Sequence, residues 1–182
     1  WQCLDALAKL GGEDWFRLGD RDLATHILRS EWLRAGQNLT EVTAKLCEAL
    51  EIKTEVLPMS NDPVATEIIC QSGESLSFQH YFVRERCEPP IQDVRFKGSD
   101  QAILNPKAAV LLDGPRPLDG VIICPSNPFV SVRPILDLDG MARRLIDQAA
   151  PDVAVSPIVS GLAIKGPAAK MMEELRLPKS AL

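Results

Sequence analysis

Gly120-Val121-Ile122-Ile123-Cys124-Pro125-Ser126-Asn127-Pro128 is the stretch on which the fold class turns. An apolar run entered from a glycine and stopped by a proline has the length and composition of a buried parallel strand. A polar loop follows, and Pro134–Ala149 carries helical spacing at least from Gly140. Val153–Val155 then reads as a second buried strand and Ser156-Pro157-Ile158-Val159-Ser160-Gly161 as a second loop. Pro167–Leu175 reads as a second helix with proline near its start. Strand, loop and helix repeated in this order predict an α/β protein with a doubly wound parallel sheet.

Upstream, Asp113-Gly114-Pro115-Arg116-Pro117 reads as a surface loop or joint. Asn105–Leu112 predicts a helix with Pro106 at its first position. Ile91–Phe96 predicts a strand, and Val64–Cys70 with Leu76–Arg84 predicts a hairpin turning over Gln71-Ser72-Gly73-Glu74. Ile52–Leu57 alternates and reads as a further strand closed by Pro58. Before it lie three amphipathic helices. The first carries Leu4, Leu7 and Ala8 and fails at Gly11-Gly12. The second runs Asp22–Ala35, with Leu23, His26, Ile27, Leu28 and Leu33 on one buried side. The third is capped by Thr40, with Glu41 in its first turn and Val42, Leu46, Ala49 and Leu50 inward. The chain thus divides into a mainly helical stretch over 1–50, a strand-rich stretch over 51–118 and an α/β stretch over 119–182, within a single domain.

Composition limits the function classes. Of 182 residues, 46% are hydrophobic and 25% charged, enough for a core and ordinary for a globular domain, and the net charge of -5 argues against a protein that coats nucleic acid. No apolar run approaches the roughly 20 residues that cross a bilayer, and no basic-then-apolar leader opens the chain. Cys3, Cys47, Cys70, Cys87 and Cys124 are scattered and odd in number, which fits reduced, packed thiols in a cytoplasmic protein. The absence of an initial Met and the helical spacing from Trp1 onward read as an excised piece of a longer protein, or as a mature product whose start is missing.

Ligands of open α/β sheets sit beyond the carboxyl ends of strands, which singles out the loops after the two apolar runs. Ser126 and Asn127 in one loop, and Ser156 beside Pro157 in the other, offer short polar side chains and backbone N–H groups that suit phosphate oxygens. A proline-braced turn accounts for the same composition. In Leu18-Gly19-Asp20-Arg21-Asp22, Gly19 turns the chain and Asp22 or Asp20 caps the next helix. Arg21 between two carboxylates is either an exposed ion pair or a buried loop clamp, and Asp20 with Asp22 also permits Mg²⁺. In the two-proline loop 57–63, Met59 offers a polarizable surface to a flat ring, and Ser60 and Asp62 offer hydrogen bonds; a rigid turn is the plain alternative. His26 reads as a core residue and His80 as a solvent-facing one.

Several stretches occur together and in order: Leu18–Asp22 followed by Ala24-Thr25-His26, Leu57–Ser60, Phe78-Gln79, Pro125–Pro128, Ser156–Ile158 and Gly166-Pro167-Ala168. In this combination the chain resembles the 2-phospho-L-lactate transferases. The resemblance implies a Rossmann-like core with an inserted smaller α/β portion, and a family fold whose first strands are absent here. It implies Mg²⁺-dependent transfer of 2-phospholactate, or phosphoenolpyruvate, from a guanosine-diphosphate ester to the ribityl hydroxyl of a 5-deazaflavin. GMP leaves, and the step belongs to coenzyme F(420) biosynthesis. By the resemblance, Arg17 matches a residue that looks like a deazaflavin contact in the family, and Met59, Ser60 and Asp62 fall in the loop expected to line the acceptor pocket. By the resemblance, Ser126 and Asn127 would face the diphosphate and Ser156 and Pro157 would lie near the nucleotide, while the residues themselves make Asp20, Arg21 and Asp22 structural or loop-clamping candidates. Asn61 stands where Asp is common, which weakens a metal role for that loop; the resemblance implies main Mg²⁺ ligands upstream, and no metal ligand is assigned within this stretch. Implied partners are the two substrates and a possible second copy in a homodimer, with no nucleic acid and no membrane. The alternative reading is a nucleotide-sugar-binding regulator of the same superfamily, and the isolated stretch is expected to be inactive.

Overall fold

In the computed structural model, which describes residues 2–138, 140–159, 162–163 and 167–176, the chain forms two compact units, Trp1–Asn61 and Asp62–Leu182. Residues 51–61 therefore group with the helices.

The first unit holds α1 (Gln2–Lys9), α2 (Asp20–Arg34) and α3 (Leu39–Ala49). Local chemistry sets their ends. Gly36, at φ 88, closes α2: the Gly36 amide donates to Leu33 O and the Gln37 amide to Trp32 O, the paired bonds of a Schellman ending. The same pair closes α3, from Glu51 to Glu48 O and from Ile52 to Cys47 O, with Glu51 itself at φ 55. That ending sends Ile52–Val56 out as an irregular, solvent-exposed segment, not the expected strand; Ile52 and Val56 are exposed.

Asn38, rather than the expected Thr40, caps α3. Its Oδ1 accepts the Glu41 amide at 2.9 Å and Glu41 Oε2 accepts the Asn38 amide at 2.9 Å, a reciprocal capping box. Thr40 instead donates through its amide (2.9 Å) and hydroxyl (2.8 Å) to Asn61 Oδ1. Asn38→Ala is expected to cost about 1 kcal/mol, read as a lowered melting temperature with α3 signals affected first; unchanged melting would contradict the box. Side chains pack loosely: Val42 is buried, but α2 buries nothing, and His26, Ile27, Leu28 and Leu33 of its expected inner side are exposed. Three short helices supply too few neighbours to cover a stripe that wide.

The second unit centres on an antiparallel sheet in the order β2-β1-β3, formed by β1 (Ala65–Cys70), β2 (Ser75–Ser77) and β3 (Ile91–Lys97). The hairpin turn falls over residues 71–74 as predicted, with Gly73 at φ 87 and the Cys70 amide bonded to Glu74 O. Its second strand stops at Ser77. Beyond it the chain winds helically through a π-turn at His80–Arg84, because Phe78, Tyr81 and Phe82 at helical spacing can all meet the core. Phe78 and Phe82 stack at 4.4 Å, and Tyr81 is fully buried. Ile91 and Val94, three residues apart, both face inward; a register shift between Ile69 and Cys70 makes this possible. One core gathers Ile68, Tyr81, Ile91, Val94, Phe129, Val130, Ile158 and Met171.

Next comes α4 (Pro106–Asp113), capped by Asn105 and with Pro106 at its first position as predicted; the α/β stretch contributes β4 (Val121–Ile123), α5 (Arg133–Leu136) and α6 (Met141–Ile146). After these come β5 (Asp152–Ala154), β6 (Ile158–Val159), β7 (Leu162–Ala163) and α7 (Ala168–Glu174). The predicted helix from Pro134 is two pieces, separated at Gly140 with φ 73. β4 and β5 pair in parallel, Ile122 opposite Val153, while β6 and β7 pair antiparallel. The described fold is thus mixed α/β with parallel and antiparallel sheets. Burial was expected of both parallel strands and is not found: Ile122 is 71% and Val153 56% exposed. Cys70 alone among the five cysteines is buried.

Candidate functional site

Parallel pairing of β4 with β5 puts their carboxyl ends at the same edge, so the loop holding Ser126 and Asn127 and the loop holding Ser156 and Pro157 lie side by side. A backbone bond from Val155 to Ile123 O at 2.9 Å extends the pairing into the loops. Ser126 is exposed. Asn127 is half-buried and committed at both ends: Oδ1 accepts the Phe129 amide at 2.9 Å, and Nδ2 donates to Met171 Sδ at 3.4 Å. It caps the π-turn at Pro128–Val132 and ties it to α7. The Ser156 hydroxyl accepts the Ile158 amide at 3.0 Å, bracing its own turn. Ser160, Gly161 and Lys165 lie outside the described residues.

Helix α7 is held to the antiparallel sheet by a charged latch that local sequence reading passed over. Lys170 Nζ meets Glu174 Oε1 at 2.8 Å, the Tyr81 hydroxyl at 3.4 Å and Pro89 O at 3.3 Å. Glu174 Oε2 accepts the Ile91 amide at 3.1 Å, and the Tyr81 hydroxyl donates to Cys87 O at 3.4 Å. Burial draws the Lys170 ammonium down, but the hydrogen bonds to Glu174 and Tyr81 outweigh it and leave the group raised. Burial raises Tyr81, Cys70 and Cys87. In the sequence, Lys170 and Glu174 look like an ordinary (i, i+4) surface pair; the one available signal was a Tyr inside an aromatic cluster.

The remaining predicted residues fall as follows. Asp20 starts α2, whose N-cap is Gly19 with no side-chain bond, so neither Asp20 nor Asp22 caps that helix. The Asp20 carboxylate instead accepts the Cys3 amide of α1 at 3.4 Å, which holds it below its ordinary value of 3.8. Arg21 and Asp22 are exposed. Met59 is half-buried and Ser60 is 2% exposed. Asp62, in the second unit, accepts the Ile103 amide at 2.9 Å through Oδ2. Asn61 spends its carbonyl on Thr40, accepting both its amide and its hydroxyl. Arg17 borders a hollow of about 340 Å³ in the first unit, walled also by Leu4, Asp5, Ala8 and Asp14. Neither Asp5 nor Asp14 stood out in the sequence.

Among the described residues no group of three or more His, Cys, Asp or Glu side chains is gathered to hold a metal, so no residue here is assigned to Mg²⁺. No helix among them is long and apolar enough to cross a membrane.

The family model described as "2-phospho-L-lactate transferase CofD" matches residues 2–180. The 2-phospho-L-lactate transferase of Methanosarcina mazei is 38% identical over 178 residues, covering 98% of this chain and 57% of the relative. The phosphoenolpyruvate transferase of Mycolicibacterium smegmatis is 37% identical over 172 residues, 91% of this chain and 52% of the relative. A crystal structure of a UPF0052 family member from Bacillus halodurans superposes with a TM-score of 0.55 at 18% identity, over 70% of this chain and 39% of that one, a likeness of fold alone. The chain spans about half the length of the curated relatives it matches. With a match running through both units from end to end, the chain belongs to the 2-phospho-L-lactate transferase CofD family.

Proposed function

We propose that this chain is the acceptor- and phosphate-handling part of an enzyme that moves 2-phospholactate, or phosphoenolpyruvate, from a guanosine-diphosphate ester to the ribityl hydroxyl of a 5-deazaflavin. The ribityl oxygen attacks the phosphorus that carries the lactyl or enolpyruvyl group. A new P–O bond forms, the diphosphate bridge breaks, GMP leaves and the hydroxyl proton passes to solvent. Such transfers ask mainly for positioning and charge stabilisation. Mg²⁺ would neutralise phosphoryl charge when bound, and no step is assigned to it here.

The observation that carries the reading is the shared edge of β4 and β5, where two hydroxyl-bearing loops adjoin. Ser126 is read as a direct phosphate contact. Asn127 is read as a positioning residue, because its amide is occupied by Phe129 and Met171. The uncovered Ile122 and Val153, with relatives about twice as long, support reading the parallel pair as two strands of a Rossmann-like doubly wound sheet completed by further chain.

The test is a transfer assay with both guanosine-diphosphate esters and 5-deazariboflavin in Mg²⁺, run beside calorimetric titrations of the 182-residue chain. Deazaflavin and GMP binding without turnover is the expected result. Binding of uridine-diphospho-sugars with no response to guanosine ligand or deazaflavin would transfer the assignment to the regulator.

A further inference from the structure

Helix α7 grips two parts of the second unit at once. Lys170 and Glu174, one turn apart, hold the segment that leads into β3: Lys170 Nζ donates to Pro89 O at 3.3 Å, and Glu174 Oε2 accepts the Ile91 amide at 3.1 Å. Met171 lies between them in the chain, and its sulfur accepts the Asn127 side-chain amide at 3.4 Å. One short helix is a rigid frame, so a slip of α7 that loosens the first grip also moves the second. The gripped segment follows a strained one. Arg86 and Cys87, neither of them glycine, stand in succession at φ 50 and φ 61, a conformation that persists only where its surroundings over-determine it. Here the Cys87 amide donates to Tyr81 O at 2.8 Å and the Tyr81 hydroxyl to Cys87 O at 3.4 Å. An ammonium has three donors, and Glu174, Tyr81 and Pro89 engage all three of Lys170. Apolar packing alone could hold a helix as firmly as a partly desolvated ion pair does. What directional bonds add is a single placement of the helix, which an apolar contact would let slide.

We propose that Lys170 and Glu174 are positioning residues for the strand-end loop: by fixing α7 against the entry to β3 they set the place of Met171, which holds Asn127 and with it the loop that carries Ser126. The proposal rests on the reading of that loop as the phosphate contact. It makes the antiparallel sheet a template for the loop, through a helix that touches both.

The 182-residue chain and its Lys170→Met and Glu174→Gln variants are compared by amide hydrogen exchange and by calorimetric titration with GMP in Mg²⁺. The Phe129 amide, which donates to Asn127 Oδ1, reports the loop, and the Arg144 amide of α6, bonded to Gly140 O, reports the unit away from it. Both variants are expected to speed Phe129 exchange about tenfold more than Arg144 exchange, since a local opening raises exchange only where it occurs. GMP affinity is expected to fall about three- to tenfold in each variant. In an Asn127→Ala background that loss is expected to vanish, because a residue acting through Asn127 has nothing left to act on. Equal acceleration at the two amides, or none, overturns the proposal; GMP binding by the parent then leaves the phosphate reading in place. Loosening at Phe129 with unaltered GMP affinity overturns it as well, as does a loss of affinity that persists without Asn127. Loosening confined to Phe129, in a chain whose parent binds no GMP, keeps the latch as the positioning device of the loop and overturns the phosphate reading. Glu174→Gln keeps an acceptor for the Ile91 amide and carries the test if Lys170→Met does not fold.

Discussion

Met171→Ala is expected to lower the stability of the chain by about 2–5 kcal/mol, the usual cost of truncating a buried methionine to alanine. Met171 is fully buried in the main core, in one cluster with Phe129, Val130 and Ile158. Its sulfur also receives the Asn127 side-chain amide at 3.4 Å. Truncation therefore opens a cavity and at the same time releases one end of the strand-end loop proposed to handle phosphate. Met171→Leu separates these effects: it keeps the volume, costs under about 1.5 kcal/mol, and removes the sulfur. Denaturant unfolding measures the first effect, and titration with GMP measures the second. A Met171→Ala chain as stable as the parent would refute the assigned core. A Met171→Leu chain with unaltered GMP affinity would remove sulfur from the positioning of Asn127.

Glu174→Ala is the second large effect. It deletes the partner of Lys170 and the acceptor of the Ile91 amide together. A buried donor left unsatisfied costs about 1–3 kcal/mol. Glu174→Gln retains an acceptor for Ile91 and is expected to lose less, so the order parent, Gln, Ala in melting temperature is the diagnostic result. A flat series would mean that the latch contributes nothing. The same cluster predicts weakness in alkali. Lys170, Tyr81, Cys70 and Cys87 are all raised in the folded chain above ordinary values of 10.5, 10.0, 9.0 and 9.0. Each is therefore more firmly protonated folded than unfolded. Its contribution is fully present below the unfolded value and is lost as pH rises through the folded one. Melting temperature is expected to hold between about pH 7 and 8 and to decline from about pH 9 upward. Equal stability at pH 8 and at about pH 10.5 would contradict this.

Much of the local architecture was legible. The hairpin turn at Gln71–Glu74, the Pro106 start of α4 and the Gly36 stop of α2 all follow from residues acting on their immediate neighbours. The rhythm around residues 120–155 correctly predicted a parallel pair, and with it the adjacency of the loops holding Ser126 and Ser156. Other readings failed for identifiable reasons. Phe78–Arg84 has the aromatic content of a strand, but helical spacing lets three rings share one core. Ile52–Val56 alternates, yet the α3 ending throws it into solvent. Asp20 suits a helix cap and instead spends its carboxylate on α1.

The hairpin turn, the helix stop at Gly36, the Pro106 start and family membership were determined by the sequence itself, because each depends on groups a few residues apart or on motifs in order. Tertiary structure alone decided the latch and the hollow. Lys170 and Glu174 find Tyr81, Pro89 and Ile91 across more than 80 positions of chain. Likewise Asp5, Asp14 and Arg17 border one hollow only after α1 has turned back at Gly11. Charges that look like ordinary surface pairs in a short window acquire their meaning from burial, and burial is supplied by distant segments whose arrival no local pattern records.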